Sequence, residues 1–274
     1  MLLLIDVGNT RLKWALTAHG AVAPGNWAAS GNIGHEALDQ LGREWQNLGI
    51  DAVLVSNVAG VAMRVALDAR FRDLSVGRKA VDVAWFASQA HVSGVRNRYR
   101  EPHRLGCDRL AAMIGARSLH PGRPLLVATC GTATTIDVLT ADGEFIGGMI
   151  LPGLGVMADS LAQRTAQLPS VSPLLSTLAD LAEQAKVSDH GSSFADNTEE
   201  AIVRGCLAAQ AGAIERAAAA HANARCILAG GAAAWVLPCL RLDTTLIENL
   251  VLIGLHAVAI ERADGRSGTS RLYP

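Results

Sequence analysis

Apolar residues fill positions 2–5 and return at 12 and 14–16, with Asp6 and a Gly8-Asn9 pair between them. The chain therefore opens as two strands, 2–6 and 11–17, joined at a glycine turn. A third short strand is expected near 26–29. Leu38, Leu41, Trp45 and Leu48 recur at helical spacing ahead of Gly49, which predicts a helix over 34–47. The run 52–56 reads as a buried strand, 60–72 as a helix and 81–86 as another strand. Residues 93–109 read as a polar loop holding Tyr99 and Pro102, and a helix starts at Asp108 and runs to about 118.

The pattern then restarts. Residues 124–139 form a strand, a glycine turn and a strand, and 143–153 a third strand. Sliding the chain by 123 positions lays Gly131 on Gly8, Thr132 on Asn9 and Thr129 on Asp6. Helices follow over 154–164 and 197–219. A strand then leads into Gly230-Gly231, and a last helix covers 247–262. The polar stretch 165–196 and the tail after 262 are expected to be irregular. Meanders followed by alternating helices and strands, twice over, predict an α/β protein of two similar domains, 1–120 and 121–274, with a cleft between them.

Composition narrows the function classes. Half the residues are hydrophobic, 18% are charged and the net charge is −1, so the chain is compact and lacks the basic footprint of a nucleic-acid binder. No uninterrupted apolar run reaches about 18 residues, so no membrane span is expected. The first strand lacks a basic flank and is broken by Asp6, against a secretory leader. Five scattered cysteines without a paired spacing fit a reducing cytoplasm.

Three glycine turns carry candidate chemistry. Gly8 lets the backbone turn so that amides face a phosphate, with Asn9 and Thr10 as neutral donors and Lys13 as a point charge. Asp6, at the strand's end, suits Mg²⁺ held through water. An ordinary hairpin is the plain alternative. A second hairpin at 130–135 and the Gly230-Gly231 turn extend the pattern to a polyphosphate clamp and a surface for a flat base. Asp108 suits either a helix cap or the acceptor of a hydroxyl proton. The GLGVMA stretch at 153–158 follows a meander strand and Pro152, so it is not read as a dinucleotide fingerprint. The eight histidines form no zinc spacing. The five tryptophans are read as core.

Hairpin, hairpin and Gly-Gly turn in this order resemble the actin, sugar-kinase and heat-shock ATPase superfamily. Within it the chain resembles the type III pantothenate kinases, the group that includes the Bvg accessory factors. The resemblance rests on DVGNTRLKWA at 6–15, YREPHRLGCDR at 99–109, CGTATTID at 130–137, GGMILPG at 147–153, NTEEAI at 197–202 and AGGAA at 229–233. It implies two duplicated ribonuclease H-like domains and ATP-dependent phosphorylation of pantothenate, the first step toward coenzyme A. Asp108 is then the catalytic base. Asp6, Val7, Gly8 and Asn9, with Thr10, Arg11, Leu12 and Lys13, form the ATP- and phosphate-binding segment, joined by Gly131 and Thr132. Tyr99, Gly106, Cys107, Arg109 and Thr198 are expected on the substrate. Mg²⁺ accompanies ATP, and the active site is expected at a homodimer interface. Where many members hold K⁺ or NH₄⁺ with an aspartate, this chain has Thr129, which brings no charge and leaves that dependence open. A kinase of another small alcohol, or an accessory factor in transcription, are the competing expectations.

Overall fold

The computed structural model describes residues 1–20, 23–75, 80–171, 194–263 and 265. In chain order come β1 (Leu2–Val7), β2 (Arg11–Thr17), β3 (Ala29–Gly34), α1 (Leu38–Trp45), β4 (Ala52–Asn57), α2 (Val61–Leu74) and β5 (Asp82–Phe86). Then follow β6 (His91–Val92), β7 (Val95–Asn97), α3 (Cys107–Leu119), β8 (Leu125–Cys130), β9 (Ala133–Leu139), β10 (Glu144–Pro152) and α4 (Leu154–Arg164). The last are α5 (Thr198–Ala220), β11 (Arg225–Ala229), β12 (Thr244–Leu246) and α6 (Leu250–Ala263). No helix among the described residues is long and apolar enough to cross a membrane.

Two compact units divide the chain. The first comprises Met1–Gly122, Ala141–Ile146 and Asn249–Pro274, and the second Arg123–Thr140 and Gly147–Glu248. A single cut near 120 does not anticipate the two later segments of the first unit. In the first unit the sheet runs β3-β2-β1-β4-β5, with β1 antiparallel to β2 and parallel to β4. β1 is central, and its alternate residues serve two faces. Leu3, Ile5 and Val7 join Leu41, Trp45, Leu67 and Phe71 in a core beneath α1 and α2. Trp14 meets Trp45 edge-on at 6.2 Å and Trp45 stacks on Phe71 at 6.4 Å, which places these tryptophans in the core as expected. Leu4 and Asp6 face the opposite side, where α3 and α6 lie.

Several expected boundaries move. The third strand is Ala29–Gly34, not 26–29, because it pairs with six consecutive residues of β2, from Leu16↔Ala29 to Arg11↔Gly34. The helix expected over 34–47 is a 3₁₀ turn at His35–Ala37 followed by α1. Residues 93–109 are not one loop: Val95–Asn97 form β7, paired with Glu144 and Phe145 at the start of β10. Such short pairing leaves no periodicity to read in the sequence. Residues 172–193 and 266–274, most of the stretch and tail expected to be irregular, lie outside the described residues.

The second unit repeats the first unit's order. Its strands run β12-β11-β8-β9-β10, so β8 takes the place of β1, with antiparallel β9 and parallel β11 beside it. Val7 pairs with Leu12, but Cys130 pairs with Thr134, so the second hairpin loop is one residue shorter and the 123-residue offset holds only up to the turn. Leu126, Ala128 and Ile136 pack with Ile202, Cys206 and Ile214 of α5 to form this unit's core. Cys107, Cys130, Cys206, Cys226 and Cys239 are all free thiols.

α3 and α6 cross in backbone contact. A Cβ on Gly115 would meet the Leu250 carbonyl and the Gly254 amide, and one on Gly254 would meet the Ala111 carbonyl and the Gly115 amide. Neither glycine has a positive φ, so both are needed for the close approach and not for conformation. Gly254→Ala should therefore destabilise by about 2 kcal/mol or more, since backbone cannot rotate aside. Gly212→Ala on α5, where a Cβ meets nothing within 4 Å, should stabilise by about 0.5–1 kcal/mol. Thermal melts of the two variants against the parent check both signs.

Candidate active site

The first unit's chemistry collects where the parallel strands β1 and β4 end, the edge at which α/β sheets present ligand sites. β1 ends in Asp6-Val7 and β4 in Ser56-Asn57, and Asp6 and Ser56 are register neighbours. α3 begins at the same edge. Its N-cap is Gly106 and its first residue Cys107, so Asp108 is not the cap, contrary to one of the two sequence readings. Instead Asp108 Oδ1 accepts the Arg109 amide at 2.8 Å within the first turn, where a helix N-terminus favours negative charge. Gly106 has φ −54 and ψ 128, open to any residue. A Cβ there would stand 2.6 Å from Asp108 Oδ1, so glycine at 106 leaves the carboxylate its place.

Asp6 and Asp108 share a desolvated setting. Burial, then the Asp108 charge, push Asp6 from 3.8 up to about 7, with Lys13 pulling the other way. Burial also raises Asp108, against the Arg109 amide and guanidinium. Asp6 Oδ1 is buried without a hydrogen-bond partner among the described residues. An orphaned hard oxygen beside a second carboxylate fits a divalent cation, which would supply the missing charge.

The thiol of Cys107, expected on substrate, turns onto β4. It lies 3.4 Å from Ser56 Oγ and 3.6 Å from the Asn57 carbonyl. Burial, first among its causes, raises the Cys107 pKa, so it stays a neutral thiol that fastens α3 to the strand ends. Arg109 and Tyr99, both expected on substrate, are brought together: Arg109 Nη1 donates to Tyr99 Oη at 2.8 Å. Tyr99 stacks on Phe145 at 5.4 Å, and the guanidinium lies over both rings at 5.7 and 5.9 Å. Asn97 holds the loop by donating to the Pro102 carbonyl at 2.9 Å and accepting the Tyr99 amide at 3.0 Å. Sequence reasoning missed Ser56, Asn57, Asn97 and Phe145. A polar pair closing the buried strand 52–57 could have flagged the first two; nothing local marks the others.

The first hairpin closes with the Gly8 amide donating to the Arg11 carbonyl at 3.0 Å, leaving Asn9 and Thr10 exposed at its tip. Arg11 is not at that tip's centre but begins β2 and donates to Asn32 Oδ1 at 2.8 Å. Leu12 and Val7 are core residues, 1% and 0% exposed. They can serve a ligand only through backbone.

In the second unit, the Gly131 amide donates to the Ala133 carbonyl at 3.0 Å, and the Thr132 carbonyl accepts from Gly153. Gly230, at φ 97, packs on the backbone of Cys130, and Ala232 donates to the Cys130 carbonyl at 3.0 Å. The Gly-Gly turn and the hairpin are thus one backbone surface. Thr198 is the exposed first residue of α5, capped by Asn197 Oδ1 accepting from Glu200 at 2.9 Å. Thr129 stands opposite Thr135 in register, and the Thr135 hydroxyl is buried without a partner among the described residues.

The carboxylate pair gives a pH signature. Asp6 keeps its proton in the fold up to about pH 7, whereas the unfolded chain loses it near 3.8, so ionisation is linked to unfolding. Stability from this group is full below about pH 4 and declines as pH rises toward 7. Asp6→Asn should match the parent near pH 4 and exceed it by about 2–4 kcal/mol at pH 8, free of metal and nucleotide, in urea unfolding series.

The family model described as type III pantothenate kinase matches residues 2–220. A type III pantothenate kinase of Janthinobacterium sp. (strain Marseille) is 52% identical over 271 residues, covering 96% of this chain and 99% of that protein. One of Herminiimonas arsenicoxydans is 51% identical over 271 residues, covering 95% and 98%. Among solved structures, a putative Baf family transcriptional activator from Campylobacter jejuni aligns with TM-score 0.58 at 15% identity, covering 97% of this chain and all of that one. A putative 2-dehydro-3-deoxygalactonokinase from Sinorhizobium meliloti aligns at TM-score 0.52 and 14% identity, covering 96% and 99%. The two structures speak for the fold, an actin-like ATPase architecture of two ribonuclease H-like halves, and the sequence matches speak for the family: this chain belongs to the type III pantothenate kinases.

Proposed function

We propose that this chain transfers the γ-phosphoryl group of ATP to the primary hydroxyl of pantothenate, giving 4'-phosphopantothenate and ADP. The observation that carries the residue roles is a buried Asp108, raised in pKa, beside Asp6 at the strand ends. Asp108 takes the hydroxyl proton as the oxygen bonds to the γ-phosphorus and the bond to the β-phosphate oxygen breaks, releasing ADP. Its raised pKa brings the base closer to the working pH. Asp6 would hold Mg²⁺ through water, and the cation would neutralise charge on the β- and γ-phosphate oxygens. Amides of Gly8, Asn9 and Thr10 and the Lys13 ammonium bind phosphate, and Gly131 and Thr132 add nucleotide contacts. Arg109, held flat by Tyr99 and Phe145, pairs with the pantothenate carboxylate, and Thr198 completes the substrate contacts.

We further infer a cytoplasmic homodimer. The five free thiols fit a reducing compartment, and Met149 and Ile150 on β10, 43% and 65% exposed, are apolar side chains on opposite faces of the strand that contact with a second copy would cover. The Thr129–Thr135 pair offers hydroxyls but no charge, so a monovalent cation does not fit there as a required group.

Asp108→Asn should lower kcat by about 10²–10⁴-fold in a pantothenate-dependent ADP-release assay, with the melting temperature retained. Absence of pantothenate-dependent release from the folded parent would refute the kinase reading. The parent's rate should be the same in Na⁺ and K⁺ buffers, and Thr129→Asp should introduce a preference for K⁺.

A further inference from the structure

Near the first hairpin one side chain reaches a turn carbonyl that neither the phosphate clamp nor the substrate residues explain. His35 follows β3 directly, and its Nε2 lies 3.0 Å from the Gly8 carbonyl oxygen. The carbonyl can only accept, so Nε2 carries the hydrogen and donates. The reach is built into the sheet. Gly34, just before His35, pairs with Arg11, and the Arg11 carbonyl accepts the Gly8 amide at 3.0 Å. The end of β3 is therefore tied to the hairpin tip through one ladder.

In a trans peptide the carbonyl of one residue and the amide of the next point in opposite directions. Fixing the Gly8 carbonyl toward His35 therefore fixes the Asn9 N–H away from it. Glycine at position 8 makes this consequential. With no Cβ beside it, the Gly8–Asn9 peptide has little to stop it turning over, which would aim a carbonyl oxygen where an amide is needed. Asn9 itself is exposed and Gly8 half-buried, so packing around the tip does not supply the restraint. We propose that His35 is a positioning residue of the kinase: its hydrogen bond to Gly8 orients the Asn9 amide for the nucleotide's phosphates. The inference rests on the kinase reading only for the identity of the ligand's phosphate chain.

His35→Ala should raise the KM for ATP about five- to tenfold, the range one lost hydrogen bond gives, with the KM for pantothenate and the melting temperature unchanged. His35→Gln, whose amide can donate, should recover most of the loss, and His35→Phe, which cannot, should not. Calorimetric titration of each variant with MgADP should rank them in the same order. Parent-like ATP and MgADP affinity in His35→Ala overturns the proposal. So does equal impairment of the Gln and Phe variants, or a joint loss of ATP affinity, pantothenate affinity and melting temperature. If the parent binds MgADP but does not turn over pantothenate, the titrations still decide the role of His35 while the substrate assignment falls.

Discussion

The backbone contact between α3 and α6 sets where the Asp108 carboxylate stands. Gly115 and Gly254 let the two helices meet without side chains between them, and α6 in turn lies on the sheet face that carries Leu4 and Asp6. Asp108 sits two turns before Gly115, so the crossing fixes the depth to which the N-terminus of α3 enters the strand ends. Cys107 completes the placement from the other side through Ser56 and the Asn57 carbonyl. A helix held at both points cannot slide, and the carboxylate at its start is held without a covalent link to β1.

That placement costs the fold something. Two carboxylates are brought together in a desolvated pocket, and the ligand-free protein answers by raising the pKa of both. Such a pair is disfavoured in isolation and favoured once a cation and a polyphosphate redistribute the charge. The Arg109 group is built differently. Tyr99, Phe145 and Arg109 form a stacked and hydrogen-bonded group that holds the guanidinium in one place, and the proposed contact with a carboxylate would need little further ordering.

Duplication accounts for the general plan and its departures from symmetry for the division of labour. Five strands of each sheet run in the same order around β1 or β8, with β7 and β6 extending the second sheet beyond β10, but the counterpart of Asp6 is Thr129 and the second hairpin is one residue shorter. The buried Asp6–Asp108 carboxylate pair therefore belongs to the first unit. The second unit presents backbone, through Gly131, Thr132 and the Gly230 turn packed on Cys130.

The sequence by itself determined most strands and helices, the repeat and the residues of the glycine turns, because each is a local signal. An apolar run, a glycine between strands or an acid at a strand's end can be read without knowing what lies across the fold. The short strand β7, the true extent of β3 and the return of α6 to the first unit were not legible, since each depends on a partner distant in the chain. The same limit applies within the site. Asp6, Asp108, Tyr99 and Arg109 stood out by residue type and motif, but Ser56, Asn97, Phe145 and His35 gain their meaning only from what they touch. Tertiary structure turned Cys107 inward and joined Arg109 to Tyr99, because side-chain direction follows from packing and not from order along the chain.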